Sequence, residues 1–235
     1  SRIAGILMSH GEAVVRGRRD LAAEIARTAL ADPDADPAVR AAAIDACARL
    51  SVQKVGDRLL DLLNDPSPLV RERAALAVGL LVVPGGQTAL DAARLRPEPS
   101  DVHAAALLAT GMFDRESMVT RLAAVPDSAA VQESLRDGLR RDPWFRLLRR
   151  RLPAVTRLEL RAIVTHTLEA SEAVLARGMD EVLDPADRIR LIGGLRALRG
   201  EESRDALMEA ARRDPSPEAR IASLSALGEI LDGDE

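Results

Sequence analysis

An apolar residue with a polar follower recurs along the chain at nearly constant intervals. The pairs are Val39-Arg40, Val70-Arg71, Val102-His103, Val131-Gln132, Leu160-Arg161, Ile189-Arg190 and Ala219-Arg220, separated by 31, 32, 29, 29, 29 and 30 residues. A sustained period of this length is the mark of stacked structural repeats. Four and eight residues beyond the anchors stand small or apolar residues, as in Ala43 and Cys47, Ala74 and Val78, Leu135 and Leu139. Offsets of zero, four and eight share one face of an α-helix. Each anchor therefore opens a helix, here termed B, whose small residues let its neighbours approach closely. Gly193-Gly194 interrupts the sixth B helix and is expected to weaken it.

Helix starts are marked in the same way. Asp36-Pro37, Ser67-Pro68, Asp142-Pro143, Asp184-Pro185 and Ser216-Pro217 each place a capping side chain before a proline, which has no N–H to leave unpaired in a first helical turn. Thr156-Arg157-Leu158-Glu159 reads as a capping box. Between the B helices lie shorter A helices, predicted over Glu12–Ala31, Val52–Asn64, Gln87–Leu95, Arg115–Val125, Trp144–Leu152, Glu172–Leu183 and Glu202–Arg213. No segment alternates like a strand. The expectation is an all-α solenoid of about seven helix pairs, a single repeat domain over residues 1–235.

Composition sharpens this picture. The chain has one Trp, two Phe and no Tyr among 235 residues, so its core must be aliphatic and closely packed. The net charge of −4 gives no general attraction for nucleic acid or anionic membranes. Lys54 is the sole lysine, and all other basic residues are Arg. No run of 18 apolar residues occurs that could span a bilayer. The short apolar stretch Arg2–Met8 reads as a first turn covering the end of the solenoid. The expected compartment is the cytoplasm, or the cytoplasmic face of a membrane if a segment upstream anchors the chain.

The two best-matched stretches, "DPSPLVRERAALAVGLL" at Asp65–Leu81 and "DPSPEARIASLSALGEIL" at Asp214–Leu231, lie 149 residues apart, five repeats at this period. Together with "DPDADPAVRAAAIDACARL" at Asp32–Leu50 they resemble the HEAT repeat, and the period near 30 is similar to the short, phycobilisome-lyase-like bacterial type. The resemblance is strong at both ends and weak from Pro97 to Leu183. It implies a right-handed α-α superhelix with the B helices on its concave face. It also implies that Arg40, Arg71, Arg161, Arg190 and Arg220 tie neighbouring repeats through acidic loop residues.

Chemistry is sparse. His10, His103 and His166 have no His, Cys or carboxylate at ligand spacing, so neither a metal nor a cofactor is expected. Cys47 falls on the apolar face of a B helix and reads as core. No nucleophile motif frames a serine, and no catalytic residue is assigned. One stretch stands apart: Arg140–Arg161 holds eight arginines against Asp142 and Glu159, together with the only Trp. Phe145, Leu148 and Leu152 share one helix face, and Arg149, Arg150 and Arg151 fan over about 200°. Arg140, Arg141, Trp144, Arg146, Arg149, Arg150 and Arg151 are therefore candidate contacts to an acidic partner, phosphate or nucleic acid, the alternative being a solvated A helix with Trp144 packed at a repeat junction. The expected function is a non-catalytic scaffold for protein–protein interaction. The alternatives are a nucleic-acid binder resembling the HEAT-like DNA glycosylases, against which the acidic balance counts, and a chromophore lyase or chaperone of the phycobilisome-lyase type.

Overall fold

Seven A/B helix pairs follow one another in a computed structural model of the chain, which describes residues 17, 19–32, 34–113, 116–125, 127–165 and 167–232. The A helices are α1 (19–31), α3 (Gly56–Leu62), α5 (Gly86–Arg94), α7 (Met118–Ala123), α9 (Pro143–Arg151), α11 (Leu168–Glu181) and α13 (Glu201–Arg213). The B helices are α2 (Pro37–Arg49), α4 (Pro68–Leu81), α6 (Ser100–Thr110), α8 (Ser128–Arg141), α10 (Ala154–Ile163), α12 (Pro185–Leu198) and α14 (Pro217–Asp232). No strand occurs among the described residues, so the fold is the expected all-α, HEAT-like solenoid. His10, His166 and the Arg2–Met8 stretch lie outside the described residues.

The prolines open helices as predicted. Asp36, Asp142 and Asp184 accept hydrogen bonds from the N–H groups of Ala38, Trp144 and Ala186, each with proline in the first turn. Ser216 Oγ accepts from Ala219 N–H. Ser67 caps α4 by position only, and Asp65 turns the loop by accepting from Ser67 N–H.

The arginine ladder is present as predicted at Arg40, Arg71 and Arg220, but in the fifth and sixth repeats Arg157 and Arg188 replace the predicted Arg161 and Arg190. Its position is the fourth residue after each B-helix N-cap, where Arg40, Arg71, Arg157, Arg188 and Arg220 bond carbonyls of Ala35, Asp65, Leu152, Val182 and Asp214 in the preceding loop. Three of them also reach a carboxylate at the next repeat: Arg40 to Asp65, Arg71 to Glu98 and Arg188 to Asp214. His103 takes the same place in α6 and bonds the Arg96 carbonyl. Arg161 is exposed and has no ladder contact, while Arg190 pairs elsewhere. At Arg40, Arg71 and Arg188 the planar guanidinium fork serves a loop carbonyl and a carboxylate at once.

The register slip has a structural cause. The B-helix N-caps Asp36, Ser67, Pro99, Asp127, Pro153, Asp184 and Ser216 are 31, 32, 28, 26, 31 and 32 residues apart, so the middle repeats are short. At this point regular stacking fails. Helices α2, α4, α6 and α8 stack in turn, but α9 then folds back across α4 and α6. Helix α7 in turn packs on α10 and α12. The rule that repeats touch only their neighbours is thus broken. Thr120 Oγ1 donates to the Gly193 carbonyl, and a Cβ on Gly194 would stand 3.0 Å from both Ser117 Oγ and Leu175 Cδ1. The double glycine that reads as a weak point in the sequence is where α7 crosses α12.

The predicted capping box is also revised. Helix α10 starts earlier, at Ala154 after Pro153, which places Thr156 and Glu159 inside it, both fully buried.

Candidate functional site

Helix α9 is amphipathic to an extreme: four arginines alternate with Trp144, Phe145, Leu147 and Leu148 over nine residues. Trp144, Phe145 and Leu148, with Leu152 just beyond, are buried against α4, α6 and α8. Phe145 lies so close over α8 that a Cβ on Gly138 would meet its ring at 2.6 Å. Polar contacts hold the two ends. Asp142, the N-cap, pairs with Arg73 of α4 at 2.6 Å, and Arg151 donates to the Leu80 carbonyl at 3.1 Å. The Arg49 guanidinium of α2 stands 5.3 Å over the Trp144 ring, within cation–π range.

Each predicted patch residue can now be placed. Trp144 is spent inside the fold and is not free to anchor a partner. Arg140 and Arg141 are exposed but pair with Asp137 on their own helix. Arg151 is exposed and tied to α4. Arg146, Arg149 and Arg150 are exposed, and no carboxylate among the described residues pairs with them. The free strip is therefore these three guanidinium groups, on a helix fixed from below by its aromatic and leucine side chains.

Beneath the N-terminal end of α9 lies a crowded acidic cluster that sequence reasoning missed. Glu72 is pushed up to about 7, first by burial and then by the nearby Asp101, Asp142 and Asp45 carboxylates, with Arg73 opposing. Burial also raises Asp45, against the pull of Arg73 and of a hydrogen bond with Trp144. The acids come from α2, α4, α6 and the α9 N-cap, four segments with no sequence proximity. A folded-state value above the ordinary 4.5 means that the neutral carboxyl is the form the fold favours. That stabilisation is complete below about pH 4.5 and is lost as pH rises through about 7. The urea midpoint is expected to fall between pH 5 and 8, by on the order of 1–2 kcal/mol in unfolding free energy. Glu72→Gln should flatten this dependence.

A second buried acid, Glu159, stands at the α7–α10–α12 junction. Its carboxylate accepts from Arg190 Nε at 2.7 Å and also from the Ser117 hydroxyl and Met118 N–H at the start of α7. Burial nevertheless pushes it up to about 7. Both partners are almost completely enclosed, so this pair is an internal tie and not a solvent-facing site. Cys47 is also fully buried. Among the described residues no group of three His, Cys, Asp or Glu side chains converges to hold a metal ion.

Residues 24–111 match the family described as HEAT repeats. This match covers the regular stack from α1 to α6 and supports the reading of a HEAT-repeat protein. It ends inside the first of the short repeats, ahead of the fold-back of α9. No curated protein matches the chain. No helix among the described residues is long and apolar enough to cross a membrane.

Proposed function

We propose that this protein is a non-catalytic helical-repeat scaffold, and that the outer face of α9 docks the acidic surface of a protein partner. One observation carries the reading: Arg146, Arg149 and Arg150 stand exposed, with no ion-pair partner among the described residues, on a helix seated by its buried apolar face. A seated helix fixes where the three side chains start, and each planar guanidinium can bind a carboxylate in a bidentate fashion. The burial of Trp144 favours a protein partner over single-stranded nucleic acid, because the strip then offers no aromatic face on which a base could stack.

The test is a double charge reversal, Arg146→Glu with Arg150→Glu. The partner is first identified by cross-linking in the native cell, and its affinity is then measured against wild type and variant. Binding is expected to weaken about tenfold or more at low salt, with the difference shrinking as salt screens the exposed charges. Unfolding free energy should stay within about 0.5 kcal/mol of wild type. Unchanged affinity at low salt would reduce the strip to a solvated helix face.

A further inference from the structure

A large groove lies far along the chain from α9. It runs between α11 and α13, encloses about 1210 Å³, and is lined by eight carboxylates against three arginines. Two of these acids are already satisfied, Asp214 by Arg188 and Glu209 by Arg213. Exposed Glu169, Asp180, Glu201, Glu202 and Asp205 have no ion-pair partner among the described residues. Between these acidic rims the floor is apolar and low, made by Ala173, Ala176, Ala206, Ala210 and Met179.

Glu172 is the decisive residue. It lines the groove, yet it is only 3% exposed, and its Oε1 has no hydrogen-bond partner among the described residues. Its carboxylate presses on α13 at Gly200, where any Cβ would fall 2.2 Å from both oxygens. The glycine thus admits the acid, but among the described residues no donor reaches Oε1. A buried carboxylate left short of a donor is costly and calls for a cation or a hydrogen-bond donor supplied from outside.

We infer that the α11–α13 groove binds a basic polypeptide segment of a partner protein, with one lysine or arginine head reaching Glu172. Three features favour this occupant. The volume exceeds the roughly 300–1,000 Å³ of a typical small-molecule site. The carboxylates are spread along helices of 14 and 13 residues, about 20 Å of groove, and do not converge on one metal-sized point. Lysine and arginine stems can lie on an alanine floor while their heads meet acidic rims. This site is independent of the α9 strip, and a partner that uses both would present both signs of charge.

The probe is a fluorescent twelve-residue peptide alternating Arg and Ala, compared with the same peptide carrying citrulline for Arg. Binding to the whole protein is followed by polarisation, and a lysine version is coupled by carbodiimide so that the linked carboxylates can be sequenced. The Arg peptide is expected to bind and the citrulline peptide not. Glu172→Gln should weaken binding about tenfold, and Glu202→Gln with Asp205→Asn severalfold. Asp57→Asn with Asp61→Asn, an equal charge change on α3, should leave it unchanged. Cross-links should fall on groove acids. The exposed pair serves as the test if Glu172→Gln fails to fold. Equal loss in the α3 variant would overturn the proposal in favour of nonspecific attraction to an acidic protein. Absence of binding would overturn it outright. Tight, Glu172-dependent binding of spermine without peptide binding would reassign the groove to small polycations. Concentration-dependent self-association abolished by Glu172→Gln would reassign it to a second copy.

Discussion

Phe145→Ala is expected to lower the unfolding free energy by about 3–5 kcal/mol, read from urea midpoints. The ring is 2% exposed and is wedged between α9 and the Gly138 position of α8. Its removal leaves a void lined by helix backbones that cannot collapse without dragging α9 inward. With Trp144 and Leu148 it supplies most of the apolar face that seats α9. The chain cannot extrude α9 without also losing the Asp142–Arg73 pair and the Arg151–Leu80 bond. A fall in the denaturant slope alongside the midpoint would show α9 detaching before the rest unfolds. Phe145→Leu should recover a large part of the loss. If Phe145→Ala costs under about 1 kcal/mol, α9 does not rest on this residue.

Glu159→Ala is the second large effect, expected at about 3–5 kcal/mol. The substitution deprives Arg190 of its carboxylate in a site where Arg190 is 5% exposed and Arg121 is also close by. It also strips the N-terminus of α7 of an acceptor for Ser117 and Met118. Part of the cost is that of a buried guanidinium deprived of this carboxylate, beyond the worth of the pair itself. Glu159→Leu combined with Arg190→Met should therefore be far milder than either change alone, and a double-mutant cycle would measure the difference. Because Glu159 is pushed up to about 7, Glu159→Gln should weaken the pH dependence in the same direction as Glu72→Gln, with less stability lost above pH 5. Equal penalties for single and double replacement would show that the pair itself, not the buried charge left behind, matters.

The legible parts of this protein were those written locally. Proline starts, helix number and the small-residue B faces each depend on residues within one turn of one another, and they stand where the pattern placed them. What failed depended on distance. Arg161 and Arg190 satisfy the anchor pattern, but the ladder position follows the N-cap. In the short middle repeats the apolar anchor and the N-cap drift apart, leaving Arg157 and Arg188 to do the tying. Glu159 follows Thr156 at capping-box spacing, yet its partner Arg190 lies 31 residues on. Gly193-Gly194 looks like a propensity defect until α7 is seen crossing it. For the α9 strip, the alternation of arginine with aromatic and leucine residues was visible, but which face would be free depended on the fold-back onto α4. Trp144 could not be assigned to the core without that contact. The acidic groove was invisible because α11 and α13 contribute their acids from separate repeats.

The fold-back of α9 also changes what kind of polymer this is. A regular solenoid behaves as a row of equivalent units, each stabilised only by its neighbours, so that units can be added, lost or unzipped one at a time. Here Arg151 is bonded to Leu80 and Thr120 to Gly193, spans of 71 and 73 residues. These two bonds close loops that overlap along the chain. The region from α4 to α12 is therefore cross-braced into one block, to which α2 is tied by Arg49 and Asp45 at Trp144, while α1 and α13–α14 lie outside the brace. Insertion or deletion of a repeat should be tolerated at the ends and ruinous in the braced middle. Under load, the ends would peel away singly before the centre yields all at once.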